Sequence, residues 1–587
     1  MATAPKAVCC LGEYRRRVLL AHSHSEILQW LRDAFTRAEF DVILATDAKM
    51  AERCLESFSF DACVVEYALS DPANEAGQSA PGLCVVRQFR SSSPEIYRSA
   101  WVLMAKGEDE IEEFEDHRIE TEEVLPIVNI SPLNPQARAT AGHESRWDAV
   151  VAELVDCIAR RSPFFWDLNV TFEAPADETT RVFESVSQMA AAKPKLHGDR
   201  PATGREILGE ALRLAMPRED GGSAQITRAE ARLLPDQGYA GRVIIMSPIG
   251  AEGTPYGEQL VKVASAADGE REYINFERYV RNRKFSWNRD LQRRARTIRG
   301  DLSVLLYPYV KDLQRLTKRL REPGAEQSNC TFIRRLFTEL TNAWYKHGER
   351  WTGEPLEMFR FLRADPLTGA AALTDYWKTS FAGQKLWPFE WMSHENLRQV
   401  SCDSVSDLVK LLKTDKRCAD IRAITHGDLH SMNVLVTPQG DVISLADFSE
   451  VSAKGSVLHD AAQFETHLVV DVTERTTALE EETAFLHALY GSPPAIMLPP
   501  LDLRDDHLRA GYAYVGEVRR AVGEVVAAYP TDEAAREQLM LGYGLALLSQ
   551  FVRKWQYLKE GSQYTDDIRW RTLFASSLLA ENLKRVL

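Results

Sequence analysis

The stretch Ile424-Thr-His-Gly-Asp-Leu-His-Ser-Met-Asn-Val-Leu-Val436, followed by Ile443-Ser-Leu-Ala-Asp-Phe-Ser-Glu450, decides how this chain reads. The apolar runs Val434–Val436 and Val442–Ala446 flank Pro438-Gln-Gly-Asp441 and predict a β-hairpin. Asp428, in the loop before it, is expected just after a helix end. A carboxylate placed there can orient a hydroxyl and accept its proton as charge develops. Asn433 in the same loop and Asp447 after the hairpin are hard oxygen donors of the kind that hold Mg²⁺ against nucleotide phosphates. These are residue types that phosphoryl transfer needs, and they leave the acceptor unnamed.

Working outward, 587 residues are too many for one core and imply several domains. A formal net charge of −14 favours solubility and argues against a dedicated nucleic-acid surface. No apolar run has the length of a membrane span, and the first ten residues lack the charged and apolar regions of a secretory leader, so a cytoplasmic protein is expected. Nine cysteines lie scattered without C-x-x-C spacing and read as small apolar residues in a reducing compartment.

Strands alternate with helices in the first third. Arg17–Ala21, Phe40–Ala45, Phe60–Glu66 and Ala100–Ala105 are strand candidates, with helices over Glu26–Glu39, Ala48–Ser57 and Trp147–Arg160. That alternation predicts a parallel sheet covered on both faces. Residues 162–223 read as a connecting region with room for two helices that pack on a neighbour. From 224 the pattern is β-rich: Gln225–Leu234, Gly241–Met246, Glu258–Ala264 and Leu302–Val310, with a helix over Gly269–Arg283. Beyond 311 nearly everything except the hairpin reads helical.

The run H-G-D-x-H-x-x-N-x-L, then a hairpin, then D-F, resembles the active-site loop of the aminoglycoside phosphotransferase and choline kinase-like family, a relative of the protein kinases. The resemblance spans roughly 224–587 and implies ATP and Mg²⁺ as cofactors. It assigns Asp428 to the acceptor hydroxyl, Asn433 and Asp447 to the metal, and His426 and Asp460 to support of the catalytic loop. His430 has two readings, facing phosphate or simply packing. Lys262, inside the apolar strand Leu260–Ala264, would hold the nucleotide phosphates, with Glu272 or Glu277 as its partner. Gly238 and Gly241 would cover the phosphates, and the backbone at Tyr309 would meet adenine. Ser449 departs from the glycine of protein kinases at that place.

Residues 15–161 resemble a response-regulator receiver domain, on Arg17–Ile27, on Phe60–Asp71 and on the strand order. The receiver's acid pair is replaced by His22 and Ser23, its phosphoacceptor aspartate by Glu66, its strand-end hydroxyl by Met104 or Ala105, and its lysine before proline by Ser131-Pro132. The resemblance therefore implies a pseudo-receiver that is not phosphorylated, used for docking or self-association.

The expected fold is multidomain: an α/β doubly wound receiver-like domain (15–161), a connecting region (162–223), then an α+β bilobal kinase-like domain with a β-rich N-lobe (224–310) and a helical C-lobe (311–587). The expected function is ATP- and Mg²⁺-dependent phosphotransfer to a hydroxyl of an unknown small-molecule or protein acceptor, with no nucleic-acid or membrane partner. The alternatives are a catalytically weak or inactive pseudokinase scaffold in a signalling assembly and a protein kinase acting on a signalling partner.

Overall fold

Short strands that are apolar on both faces require cover on both faces, and five of them build the first sheet. In the computed structural model of the chain, β1 (Lys6–Cys10) precedes β2 (Arg17–Ala21), β3 (Asp41–Ala45), β4 (Ala62–Glu66), β5 (Ala100–Ala105) and β6 (Ile127–Asn129). Strands β2 to β6 pair in parallel in the order β3-β2-β4-β5-β6. This is the doubly wound order in which the chain reverses direction beside the first strand, leaving a crevice at the strands' carboxyl ends. Helices Ser25–Arg37 and His143–Arg161 cover one face, where Leu31, Phe35 and Leu154 meet Val18, Val64 and Val102. Helices Ala48–Ser57, Pro81–Ser92 and Glu108–Thr121 cover the other, with Ala51, Val86 and Phe114 against Leu19, Val65 and Leu103.

The structure describes residues 6–10, 16–57, 60–70, 81–92, 100–121, 127–131, 143–161, 168–190, 203–215, 226–233, 242–250, 257–281, 293–297, 302–309, 314–359, 404–412, 414–437, 443–473, 479–529, 532–557 and 566–587. They fall into two compact units, residues 1–270 with 290–309 and residues 271–289 with 310–587.

The second sheet of the first unit has seven strands. It comprises β7 (Asn169–Pro175), β8 (Ile226–Leu233), β9 (Arg242–Gly250), β10 (Gln259–Ser265), β11 (Arg293–Arg296) and β12 (Leu302–Pro308), in the order β1-β7-β8-β9-β10-β12-β11. The region 162–223, read from sequence as a connection, thus gives this sheet a strand and two helices, Ala176–Ala190 and Gly204–Leu214. The second of these starts on a capping box: Thr203 Oγ1 accepts from Glu206 N, and the Glu206 carboxylate accepts from Thr203 N at 2.6 Å. Both helices join one core with the sheet, where Val182, Val186, Ile207, Leu208 and Leu212 meet Phe172, Ile244, Val261, Val263 and Val304. Each such buried aliphatic side chain contributes about 1.5–3 kcal/mol.

The second unit is helical but holds more strands than its sequence suggested. Its strands are β13 (Gln314–Arg315), β14 (Glu349–Gly353), β15 (Cys418–Thr425), β16 (Val434–Val436), β17 (Ile443–Leu445) and β18 (Ser452–Ser456). They form two small sheets, β13-β16-β17 and β14-β15-β18. Asp428 accordingly follows the central strand β15 and not a helix end. Helix Glu533–Tyr557 packs on helices Val457–His467 and Asp566–Val586, and helix Glu326–Ala343 packs on Asp506–Ala527. At the centre, Arg519 donates to Glu465 at 2.8 and 3.1 Å, and Tyr490 and Tyr543 donate to the same carboxylate.

Candidate active site

The loop after β15 is fixed by its backbone. Gly427 takes a φ of +76°, and a Cβ there would lie 2.3 Å from the Glu450 carbonyl oxygen, so the position requires glycine. The buried carboxylate of Asp460, in the first turn of helix Val457–His467, accepts the N–H groups of His426 and Gly427, each at 2.8 Å. Tyr345 donates to the same carboxylate at 3.0 Å. His426 is fully buried, its Nε2 lies 3.0 Å from the Ala446 carbonyl, and its ring contacts Phe448. Burial holds the His426 imidazole below its usual pKa and keeps it neutral.

The hairpin register brings the oxygen donors together. Ala446 N donates to Asn433 O at 2.9 Å, so Asn433 stands across from the residue before Asp447. Asn433 Nδ2 donates to the Asp428 carbonyl at 2.9 Å and lies 3.3 Å from Asp428 Oδ2, which leaves the amide oxygen to turn elsewhere. Asp447 sits in the left-handed region, φ 63° and ψ 72°, a conformation that aspartate tolerates at a cost of about 1–2 kcal/mol. Ser449 Oγ donates to its Oδ1 at 2.8 Å, and Asn275 Nδ2 donates to the Phe448 and Ser449 carbonyls. Among the described residues no three His, Cys, Asp or Glu side chains converge as a closed metal cage. An amide oxygen and a carboxylate fit Mg²⁺ that brings phosphate and water oxygens with it.

Asp428 is surrounded by donors. Gln463 Nε2 and Arg553 Nη2 approach Oδ1, the latter at 3.8 Å, while His430 Nε2 lies 3.4 Å from Oδ2. Burial pushes this carboxyl upward, but His430, Arg553 and Gln463 outweigh it and hold it well below the usual carboxylate range. An anion held so firmly is a weak base; it positions a hydroxyl better than it deprotonates one. His430 stacks on His467 with ring centroids 5.0 Å apart, so packing is part of its role. His467 in turn lies 3.0 Å from Ser431 Oγ.

In the first unit, Lys262 is 7% exposed in the middle of β10, opposite Leu305 of β12 and Val243 of β9. β10 is paired on both sides, so Lys262 does not sit on a sheet edge. Val261 and Val263 face the helix-covered core, so alternation puts Lys262 on the other face. Glu272 is buried in helix Ala266–Asn275, whereas Glu277, on the π-helical turn that continues it, pairs with Arg281 at 2.8 Å. Tyr309 N donates to Glu258 O at 3.3 Å. Gly238 and Gly241, and the hairpin turn at 438–442, lie outside the described residues.

The carboxyl end of the parallel sheet carries its own cluster. Glu66 is fully buried; Ser23 donates to it through N at 2.5 Å and through Oγ at 2.7 and 2.9 Å. Lys106, the first residue after β5, forms an ion pair with Glu66. A lysine is therefore present at this site, although Ser131 stands where the sequence pattern placed it. His22 Nδ1 accepts from His24 N, and burial above all drives the ring down to about 4, so the 3.5 Å approach to Glu66 is no ion pair at neutral pH.

Sequence reasoning passed over Gln463, Arg553 and Lys106. Gln463 lies three residues after Asp460 on the same helix face, a spacing that was readable. Arg553 comes from a distant helix and carries no local signal.

No family model matches the chain, and no curated protein does. Among solved structures, the receiver domain of a Francisella response regulator is 13% identical, with 25% of this chain and 98% of that one covered at a TM-score of 0.18. A macrolide 2'-phosphotransferase type I is 15% identical over 52% of this chain and 91% of its own, at a TM-score of 0.24. The PknI kinase domain of Mycobacterium tuberculosis is 16% identical over 54% of this chain and 94% of its own, at a TM-score of 0.23.

Proposed function

We propose that the chain is an ATP- and Mg²⁺-dependent phosphotransferase that moves the γ-phosphoryl group to an acceptor hydroxyl. One observation carries the reading: a single loop and hairpin, braced by Asp460, present Asp428, Asn433 and Asp447 together. Asp428, ionised, orients the hydroxyl and takes its proton late, as phosphoryl transfer through a loose transition state requires. Asn433 and Asp447 would hold Mg²⁺, which when bound neutralises charge on the phosphates. Lys262 holds the nucleotide phosphates, with Glu272 in the orienting role. The chemistry rests on positioning and charge neutralisation. The receiver-like domain serves docking or self-association.

The test is ATP turnover and transfer of labelled phosphate to metabolite extracts and to lysate proteins, for wild type and Asp428→Asn. A drop of about 10²–10⁴ in the variant supports the assignment. Equal rates at background in both proteins leave a scaffold.

A further inference from the structure

Asp428 offers two oxygens to its surroundings, and they differ. Asn433 and His430 face Oδ2, on the side of the proposed metal ligands. Gln463 and Arg553 face Oδ1. Oδ1 thus lies between the helices that carry Gln463 and Arg553.

Arg553 is placed to do more than balance Asp428. At 3.8 Å its guanidinium is beyond hydrogen-bond distance of the carboxylate, and its side chain is 22% exposed. Among the described residues Asp428 is the one carboxylate within ion-pair distance of it. Asp471 is committed to Lys554 at 2.7 and 2.8 Å, and Asp460 to the loop backbone. An arginine stays charged at any working pH, and its fork of donors matches carboxylates and phosphates. A cationic alcohol would meet a fixed like charge there, in a partly desolvated place where such repulsion is strong.

We infer that Arg553 selects an acceptor bearing an anionic group, a carboxylate or phosphate, close to the hydroxyl that is phosphorylated. The inference rests on the phosphotransferase reading and deepens it by naming the acceptor class. Arg553 is then a specificity-determining residue on the acceptor side.

The experiment uses the full chain with Mg²⁺ and ATP, following ADP release with three small alcohols, one anionic, one neutral and one cationic: D-glycerate, glycerol and choline. Glycerate is expected to stimulate release at least about tenfold over the other two, a discrimination of the size a single charged pocket group supplies. Arg553→Gln should raise the KM for glycerate and erase the preference while keeping the thermal shift given by Mg-ATP; Arg553→Lys should restore part of it. Equal stimulation by the three alcohols, none included, or a preference for choline overturns the inference. So does a loss in Arg553→Gln that is equal for every alcohol and for water, which would put the guanidinium on the transferred phosphoryl group. Absence of any Mg-ATP thermal shift in wild type instead refutes the phosphotransferase reading itself, and the inference with it.

Discussion

Asp460 Oδ1 accepts the N–H of Gly427 at 2.8 Å, which fixes the backbone one residue before Asp428. Its other oxygen takes His426 N and the Tyr345 hydroxyl, so the carboxylate meets donors only. Asparagine in its place must turn an NH₂ toward at least one of them. Asp460→Asn should lose about 1–3 kcal/mol, the cost of a buried group left unpaired. Urea unfolding of the two proteins checks it, as a lower midpoint at unchanged slope. Burial also pushes the Asp460 carboxyl up to about 7. A carboxyl raised above its unfolded value stabilises the fold below pH ~4, and that contribution fades as pH rises through 7. The gap between wild type and variant should therefore narrow from pH 5 to pH 8.

Gly427 is the tightest backbone position in the loop. An alanine methyl group would carry the cost of a positive φ, about 1–2 kcal/mol, and would press on the Glu450 carbonyl, 2.3 Å away, as well. The peptide cannot turn without moving Asp428 relative to Asn433. Gly427→Ala should remain folded by circular dichroism and lose nearly all of the proposed transfer of labelled phosphate. Retention of more than about a tenth of the rate would show that the loop relaxes, since 1.4 kcal/mol is tenfold.

The relation between sequence and structure differs from element to element. Strands β2, β4 and β5 were legible because both faces of each are apolar. Strand β15 was not: Asp420 and Arg422 interrupt its pattern, and they pair with each other at 3.0 Å. Strand β7 hid for another reason. Its inward residues Val170, Phe172 and Ala174 alternate with polar ones, and its partners β1 and β8 lie far along the chain. The same distinction holds at the candidate site. Asp428, Asn433 and Asp447 stand close in sequence because one loop and hairpin carry them, whereas Arg553 reaches Asp428 only through helix packing.

Glu465 and Arg519 form a buried ion pair that two tyrosine hydroxyls complete. Removing one partner strands the other charge away from water, so Glu465→Gln and Arg519→Met should each cost about 3–5 kcal/mol. The double variant should cost much less than their sum, because neither charge is then left alone. Guanidinium denaturation of the four proteins closes the cycle. Additive losses would mean that the tyrosines, not the pair, carry the stability.

Glu66 stands where the sequence resemblance to receivers puts the phosphoacceptor, and Lys106 and Ser23 already satisfy it. With His22, which is neutral, and Ser23 in place of the acid pair, and no group of three His, Cys, Asp or Glu side chains fit for a metal among the described residues, the site has little charge to gather Mg²⁺ for a phosphoryl mimic. Titration with beryllofluoride and Mg²⁺ should leave the hydrogen-exchange protection of the β4 and β5 amides unchanged, and a saturable Mg²⁺-dependent change would sink the pseudo-receiver reading. The pair should also show in the pH dependence of hydrogen exchange. Burial works against the Glu66 carboxylate, but His22, which is charged only in acid, together with Lys106 and Ser23 brings its pKa below the usual value. A depressed carboxyl stabilises the fold above its unfolded pKa of about 4.3, and that contribution is lost as pH falls through the folded value. Protection of the β4 and β5 amides should thus be greater in wild type than in Glu66→Gln at neutral pH, and the difference should shrink on acidification below pH ~4.3. A difference that stays constant across that range would mean the Lys106 pair adds nothing beyond the hydrogen bonds a glutamine also makes.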